Sequence, residues 1–213
     1  MTHSANQLLL LLIVLTDFAV LGTSRLGACI RWIALQGALL GLLSLVAGGE
    51  PTWTAIPLAT GTIAVKAVLL PAFLRWAIRE AAIRREVEPL VGYLPSMLLG
   101  GVALGVAFGV AASMPASVRD ALVVPVALVT LIIGMIVLMT RVKAITQVIG
   151  YLMLENGVYL FGITLARRVP FLIEVGVLLD VFVGVFIMGN VVFHINREFD
   201  SISAANLSEL RDS

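Results

Sequence analysis

Of 213 residues, 60% are hydrophobic and 13% charged, and the mean hydropathy is +1.07, far more apolar surface than a water-soluble domain of this size could hide. The formal net charge of +1 gives no bias toward nucleic acid. The single cysteine, Cys29, cannot close an internal disulfide, and no Cys or His cluster exists to hold zinc, nickel or an iron-sulfur centre. The chain reads as an all-α integral membrane protein that binds no redox cofactor of its own.

Seven apolar runs follow one another, each near the roughly 20 residues a helix needs to cross a bilayer. They predict transmembrane helices over residues 6–23, 28–47, 54–78, 91–112, 121–140, 144–166 and 170–195. The first run lacks a basic leader before it and is interrupted by Asp17, so it reads as a retained helix, not a cleaved signal. Gly48-Gly49-Glu50-Pro51 and Ser113-Met114-Pro115 mark turns, and Arg167-Arg168-Val169-Pro170 ends one helix and opens the next.

Basic residues set the expected orientation. With the N-terminus outside and the C-terminus inside, ten Lys and Arg fall on the inner segments and three, Arg119, Arg167 and Arg168, on the outer ones. After the third run comes RWAIREAAIRREVE, with acid-base pairs at helical spacing such as Glu80 with Arg84, which suits a helix extension on the inner surface touching anionic lipid. The fourth run carries Gly101, Gly105 and Gly109 at four-residue spacing with Ala103, Ala107 and Ala111 interleaved, a pattern that predicts close helix packing. Runs one to three and five to seven also share a faint pattern of helix, basic loop, helix, loop and helix ending in Arg-Glu, which suits a parallel internal duplication.

Three charges interrupt these runs near their centres: Lys66, Glu155 and Asp180. A charge at the membrane midplane costs about 2.5 to 3.5 kcal/mol or more, and the common uses that justify it are proton relays and ion paths. The bland alternative is that the acids pair with Lys66 or hydrogen-bond across helices as structural glue. Asp17 toward the inner end of its helix, Glu174 near the outer mouth and His194 near the inner end complete the list of candidate relay residues. Lys66 and Asp180 are expected to be electrostatically coupled, since a lone charge in hydrocarbon needs a partner.

The segment Arg141-Val142-Lys143, then Ile149-Gly150-Tyr151-Leu152-Met153-Leu154-Glu155-Asn156, then Asp180-Val181-Phe182-Val183-Gly184 resembles the three-helix NuoK subunit of complex I. With four helices before it, the whole chain is similar to the hydrogenase-4 component E family, membrane subunits of group 4 nickel-iron hydrogenase and formate hydrogenlyase complexes. The acid departs from the NuoK pattern, standing at Glu155 where the Gly150 alignment expects it at the position of Leu152. Three residues is nearly one helical turn, so the carboxylate keeps its face and moves about 4.5 Å along the axis.

The resemblance implies residues 1–120 as a four-helix region, 121–196 as a NuoK-like module and 197–213 as a short cytoplasmic tail. It implies a bacterial or archaeal inner membrane, antiporter-like subunits of a hydrogenase or complex I-like assembly as partners, and a lateral proton path through this chain. A NuoK-like subunit of a sodium/proton antiporter and a passive scaffold remain the alternatives.

Overall fold

The computed structural model describes residues 2–46, 55–80, 90–114 and 122–165, with Phe182, Phe186 and Gly189. Among them every regular element is helical. α1 spans Thr2–Leu21, α2 Leu26–Val46, α3 Ala55–Thr62, α4 Leu70–Glu80, α5 Tyr93–Ala112, α6 Val123–Thr140 and α7 Ala144–Leu165, and a π-helical segment, Ile63–Leu69, joins α3 to α4 without a break. The first six predicted runs are therefore found as helices within a few residues. The seventh run, the tail and residues 81–89 lie outside the described residues.

Among the described residues, five helices are long and apolar enough to cross a membrane: Ser4–Leu21, Leu26–Val46, Ala59–Arg79, Tyr93–Ala112 and Val123–Thr140. Helices are the expected solution, because in lipid every backbone polar group must be satisfied within its own segment. The 22 residues of α7 match the sixth run in length, and Glu155 and Asn156 stand at its centre. The protein is a multi-pass membrane protein.

Alternating direction of the helices is written into one end of the bundle. The Leu90 amide donates to the Thr140 carbonyl (2.8 Å), and the Arg141 guanidinium donates to the Leu21 carbonyl (3.2 Å) while lying 5.6 Å from the Tyr93 ring centroid. The C-terminal ends of α1 and α6 thus meet the N-terminal end of α5. Arg141, one of the basic residues counted on the inner segments, is 2% exposed and occupied in capping the last turn of α1. Burial pulls its guanidinium below the ordinary arginine value, and the Tyr93 phenol and Cys29 thiol act against that shift.

α6 and α7 form the most intimate helix pair. Glycines permit it: a Cβ on Gly157 would come within 2.7 Å of the Leu131 amide nitrogen, and Gly134 and Gly150 face Leu154 and Leu138 backbone in the same way. A second close approach joins α2 to the π segment. A Cβ on Gly37 would sit 2.7 Å from Lys66 Cβ and 2.8 Å from its carbonyl carbon, and Gly41 lies against Ile63 one turn on.

The expected glycine stripe of the fourth run behaves otherwise. A Cβ added to Gly101, Gly105 or Gly109 meets no described residue within 4 Å, whereas Gly100 abuts Leu21 and Phe18 and the interleaved Ala103, Ala107 and Ala111 are buried. α5 packs through its alanine face at the edge of the bundle and turns the glycines outward with Leu98, Val102 and Val106. Since lipid chains are as apolar as leucine, no solvation force decides which face turns inward, and shape does.

Two apolar clusters fill the interior. One holds Leu10, Ile13, Leu40, Leu43, Ala127 and Leu160, the other Leu21, Ile30, Ile33, Leu74, Ile133 and Met153. Between Ile13 and Val20 on α1, Ile33 and Leu39 on α2, Ala127 and Val129 on α6, and Met153 and Tyr159 on α7, the buried members of one cluster give way to those of the other. A polar layer crosses the bundle at this junction.

Candidate functional site

That layer collects side chains from α1, α2, α3, the π segment, α6 and α7. Lys66, in the middle of the π segment, forms a salt bridge through its Nζ to Glu155 Oε1 on α7; the two are 5% and 1% exposed. One turn away on each helix, Thr62 Oγ1 and Tyr159 Oη lie 2.9 Å apart, and Lys66 Nζ stands 5.5 Å from the Tyr159 ring centroid. A step of four back on one helix answers a step of four forward on the other, as antiparallel neighbours require.

Why the chain widens to π geometry here is partly legible. The Leu70 amide donates to the Val65 carbonyl, five residues back. The next residue, Pro71, has no N–H to offer, and its ring would crowd the carbonyl four residues before it in an α-turn. Widening the turn just before the proline relieves that clash, and it aims Lys66 between α2 and α7 with its backbone pressed on Gly37. Short π segments of this kind recur at functional sites.

Asp17 anchors the other half of the layer. It is fully buried, and its two carboxylate oxygens accept from Gln36 Nε2 (2.7 Å) and Thr130 Oγ1 (2.7 Å). Gln36 Oε1 in turn accepts from Asn156 Nδ2 at 2.9 Å. Asn156 directly follows Glu155, so a continuous chain of hydrogen-bonded groups runs from α6 and α1 through α2 to the residue beside the ion pair.

Of the six residues singled out in the sequence, the structure brings Lys66 and Glu155 into contact and joins Asp17 to the same layer. Asp17 is only a turn from the end of α1, yet its partners Gln36 and Thr130 lie near the middles of their helices. It therefore belongs with the central groups, not with the inner mouth where its position in the run suggested. Asp180, Glu174 and His194 lie outside the described residues, so the partner observed for Lys66 is Glu155 and the expected coupling to Asp180 is not addressed. Leu152, where the NuoK alignment would place the acid, packs among the apolar residues beside Ile149 and Met153.

Gln36, Thr130, Thr62 and Tyr159 were not foreseen, and Asn156 entered only as part of a resemblance. Two of them carried a usable signal. Gln36-Gly37 and Asn156-Gly157 each place an amide in the middle of an apolar run beside a glycine, where a polar group has no reason to be unless a neighbouring helix comes close enough to bond it.

Over 206 residues, 94% of this chain and 93% of the relative, the sequence is 32% identical to the uncharacterized protein Rv0085 of Mycobacterium tuberculosis. The chain belongs to that protein's family. It is also similar to hydrogenase-4 component E of Escherichia coli and of Shigella flexneri, 26% identical in each case over 150 residues covering 68% of both chains. This distant likeness supports the resemblance to a hydrogenase membrane-subunit family. No protein-family profile and no solved structure matches the chain.

Proposed function

We propose that this chain is an integral membrane subunit of a group 4 hydrogenase or formate hydrogenlyase type complex, in which Lys66 and Glu155 form one station of a lateral proton path. In this reading the chain crosses the inner membrane seven times, N-terminus outside, and its last three helices are a NuoK-like module facing antiporter-like subunits. The observation that carries it is the Lys66–Glu155 pair, buried at the middle of the bundle on a π segment. A charge at that depth is costly, and two apolar side chains would hold the helices more cheaply.

The pair's chemistry is simple. A proton moving along the shared hydrogen bond from Lys66 Nζ to Glu155 Oε1 turns an ion pair into a neutral pair. The amine then faces the ring of Tyr159, whose hydroxyl, paired with that of Thr62, can both donate and accept. A group whose charge state depends on a neighbour that can itself be neutralised is what reversible uptake and release need. Likeness to hydrogenase-4 component E supports the assignment to a hydrogenase-type assembly over the antiporter alternative.

Glu155→Gln keeps size and hydrogen bonding but cannot carry a proton. The purified complex bearing it should assemble and lose proton-coupled activity in proteoliposomes. Normal gradient formation by the variant would end the relay reading and leave the scaffold role.

A further inference from the structure

The chain that joins Asp17 to Asn156 contains two carboxamides, and a carboxamide is a poor proton conductor. Its nitrogen donates two hydrogens and its oxygen accepts, but neither gives up a proton at neutral pH. Asp17 therefore cannot hand a proton through Gln36 to the Lys66–Glu155 pair. Its connection to that pair needs another use.

We infer that Gln36 and Asn156 act as a polarity coupler: they transmit the protonation state of Asp17 to the Lys66–Glu155 pair by reversing the direction of their hydrogen bonds, while passing no proton. The observed direction is the one an ionised Asp17 demands. Both its oxygens accept, so Gln36 must turn its NH2 toward α1 and its carbonyl toward α7, and Asn156 must answer with its own NH2. Protonate Asp17 on the oxygen facing Gln36 and it becomes a donor. Gln36 must then flip to present Oε1, its NH2 turns to Asn156, and Asn156 must present Oδ1 in its place. The dipole of the amide next to Glu155 has changed sign.

A competing arrangement exists within the same site. Protonated on the other oxygen, Asp17 could donate to Thr130, whose hydroxyl rotates to a carbonyl of its own helix, as Thr16 and Thr140 do with the Ile13 and Ile136 carbonyls. That route ends on α6 and moves nothing on α7. Among the described residues the buried charged side chains are Asp17, Lys66, Arg141 and Glu155, and Arg141 is taken up at the end of the bundle. Among the described residues, a response of Asp17 to changes on α7 thus travels either through the amides or directly through space.

The inference rests on the relay reading for its use in turnover, but its test does not. The purified complex in nanodiscs is titrated by infrared difference spectroscopy, following the carboxyl band assigned to Asp17 by its loss in Asp17→Asn. Glu155→Gln is expected to move the Asp17 midpoint by about one pH unit, the size at which two sites titrate as a pair. The displacement should vanish in Gln36→Met and in Asn156→Leu, which interrupt the chain at different helices, and should persist in Thr130→Val. An equal displacement with the amides removed would mean a through-space field, and its loss in Thr130→Val would assign the coupling to the hydroxyl; either result overturns the proposal. If Glu155→Gln complexes still pump, the relay reading falls while this coupling can still be read, because the spectrum requires no turnover.

Discussion

Two helices of this protein carry glycines four residues apart, and they use them in opposite ways. On α2, Gly37 and Gly41 bring the backbone against the π segment, so that Lys66 can be held between α2 and α7. On α5, Gly101, Gly105 and Gly109 face away from every described residue, and the alanines between them do the packing. Spacing alone marks a face that could be approached closely. What decides whether it is approached is the neighbour: α2 faces a segment with a buried charge to seat and a partner carboxylate to reach, and along its length α5 meets α1 and α6 through the apolar Ala103, Ala107 and Leu104.

The comparison predicts where substitutions hurt. Breaking the charged pair should cost most. Lys66→Met leaves Glu155 buried without the cation seen beside it, and removing one partner of a buried pair costs about 3 to 5 kcal/mol. Adding Glu155→Gln should recover a large part of that loss, since the stranded charge is gone. A double-mutant cycle read by thermal unfolding in detergent checks this, and strictly additive losses would mean that the two side chains are held by separate partners.

Next comes the seat itself. Gly37→Leu drives a side chain into the Lys66 backbone, which has no flexible end to move aside, and overpacking of this kind costs about 1 to 3 kcal/mol. Because the clash displaces the π segment, the proton-coupled activity proposed for the Lys66–Glu155 station should fall further than stability does. An active, destabilised variant would show that the placement of Lys66 tolerates more movement than the packing suggests. Tyr159→Phe, which removes the hydroxyl facing Thr62, should cost about 1 kcal/mol, the net worth of one hydrogen bond.

Most of the fold and half of the site could be read from the sequence, for physical reasons that differ. Six helices follow from hydrophobic length, which the bilayer imposes on each run separately. Lys66, Glu155 and Asp17 stand out because a charge in an apolar run is rare and costly. That the acids pair with Lys66 could be offered as an alternative, but that Glu155 does so was not legible, because it depends on which helices become neighbours. Gln36, Thr130 and Asn156 carry no charge, so a reading based on charge passes over them. The π turn leaves only Pro71 as its trace, and that residue reads equally well as a simple kink.

The smallest predicted effect is the sharpest test of the comparison. Gly105→Leu places the same side chain as Gly37→Leu on a helix with the same glycine spacing, but at a position where an added Cβ meets nothing within 4 Å. The neighbouring outward residues, Val102 at 62% and Val106 at 50% exposure, show that bulk on this face is already accommodated. In an apolar surrounding a leucine is as well solvated as the glycine it replaces, and it restores some of the helix propensity that glycine lacks, up to about 1 kcal/mol. The chain's unfolding transition should therefore stay within about 0.5 kcal/mol of the wild type or rise slightly. A loss comparable to that of Gly37→Leu would show that the α5 stripe is packed within this chain after all, and the contrast between the two helices would dissolve.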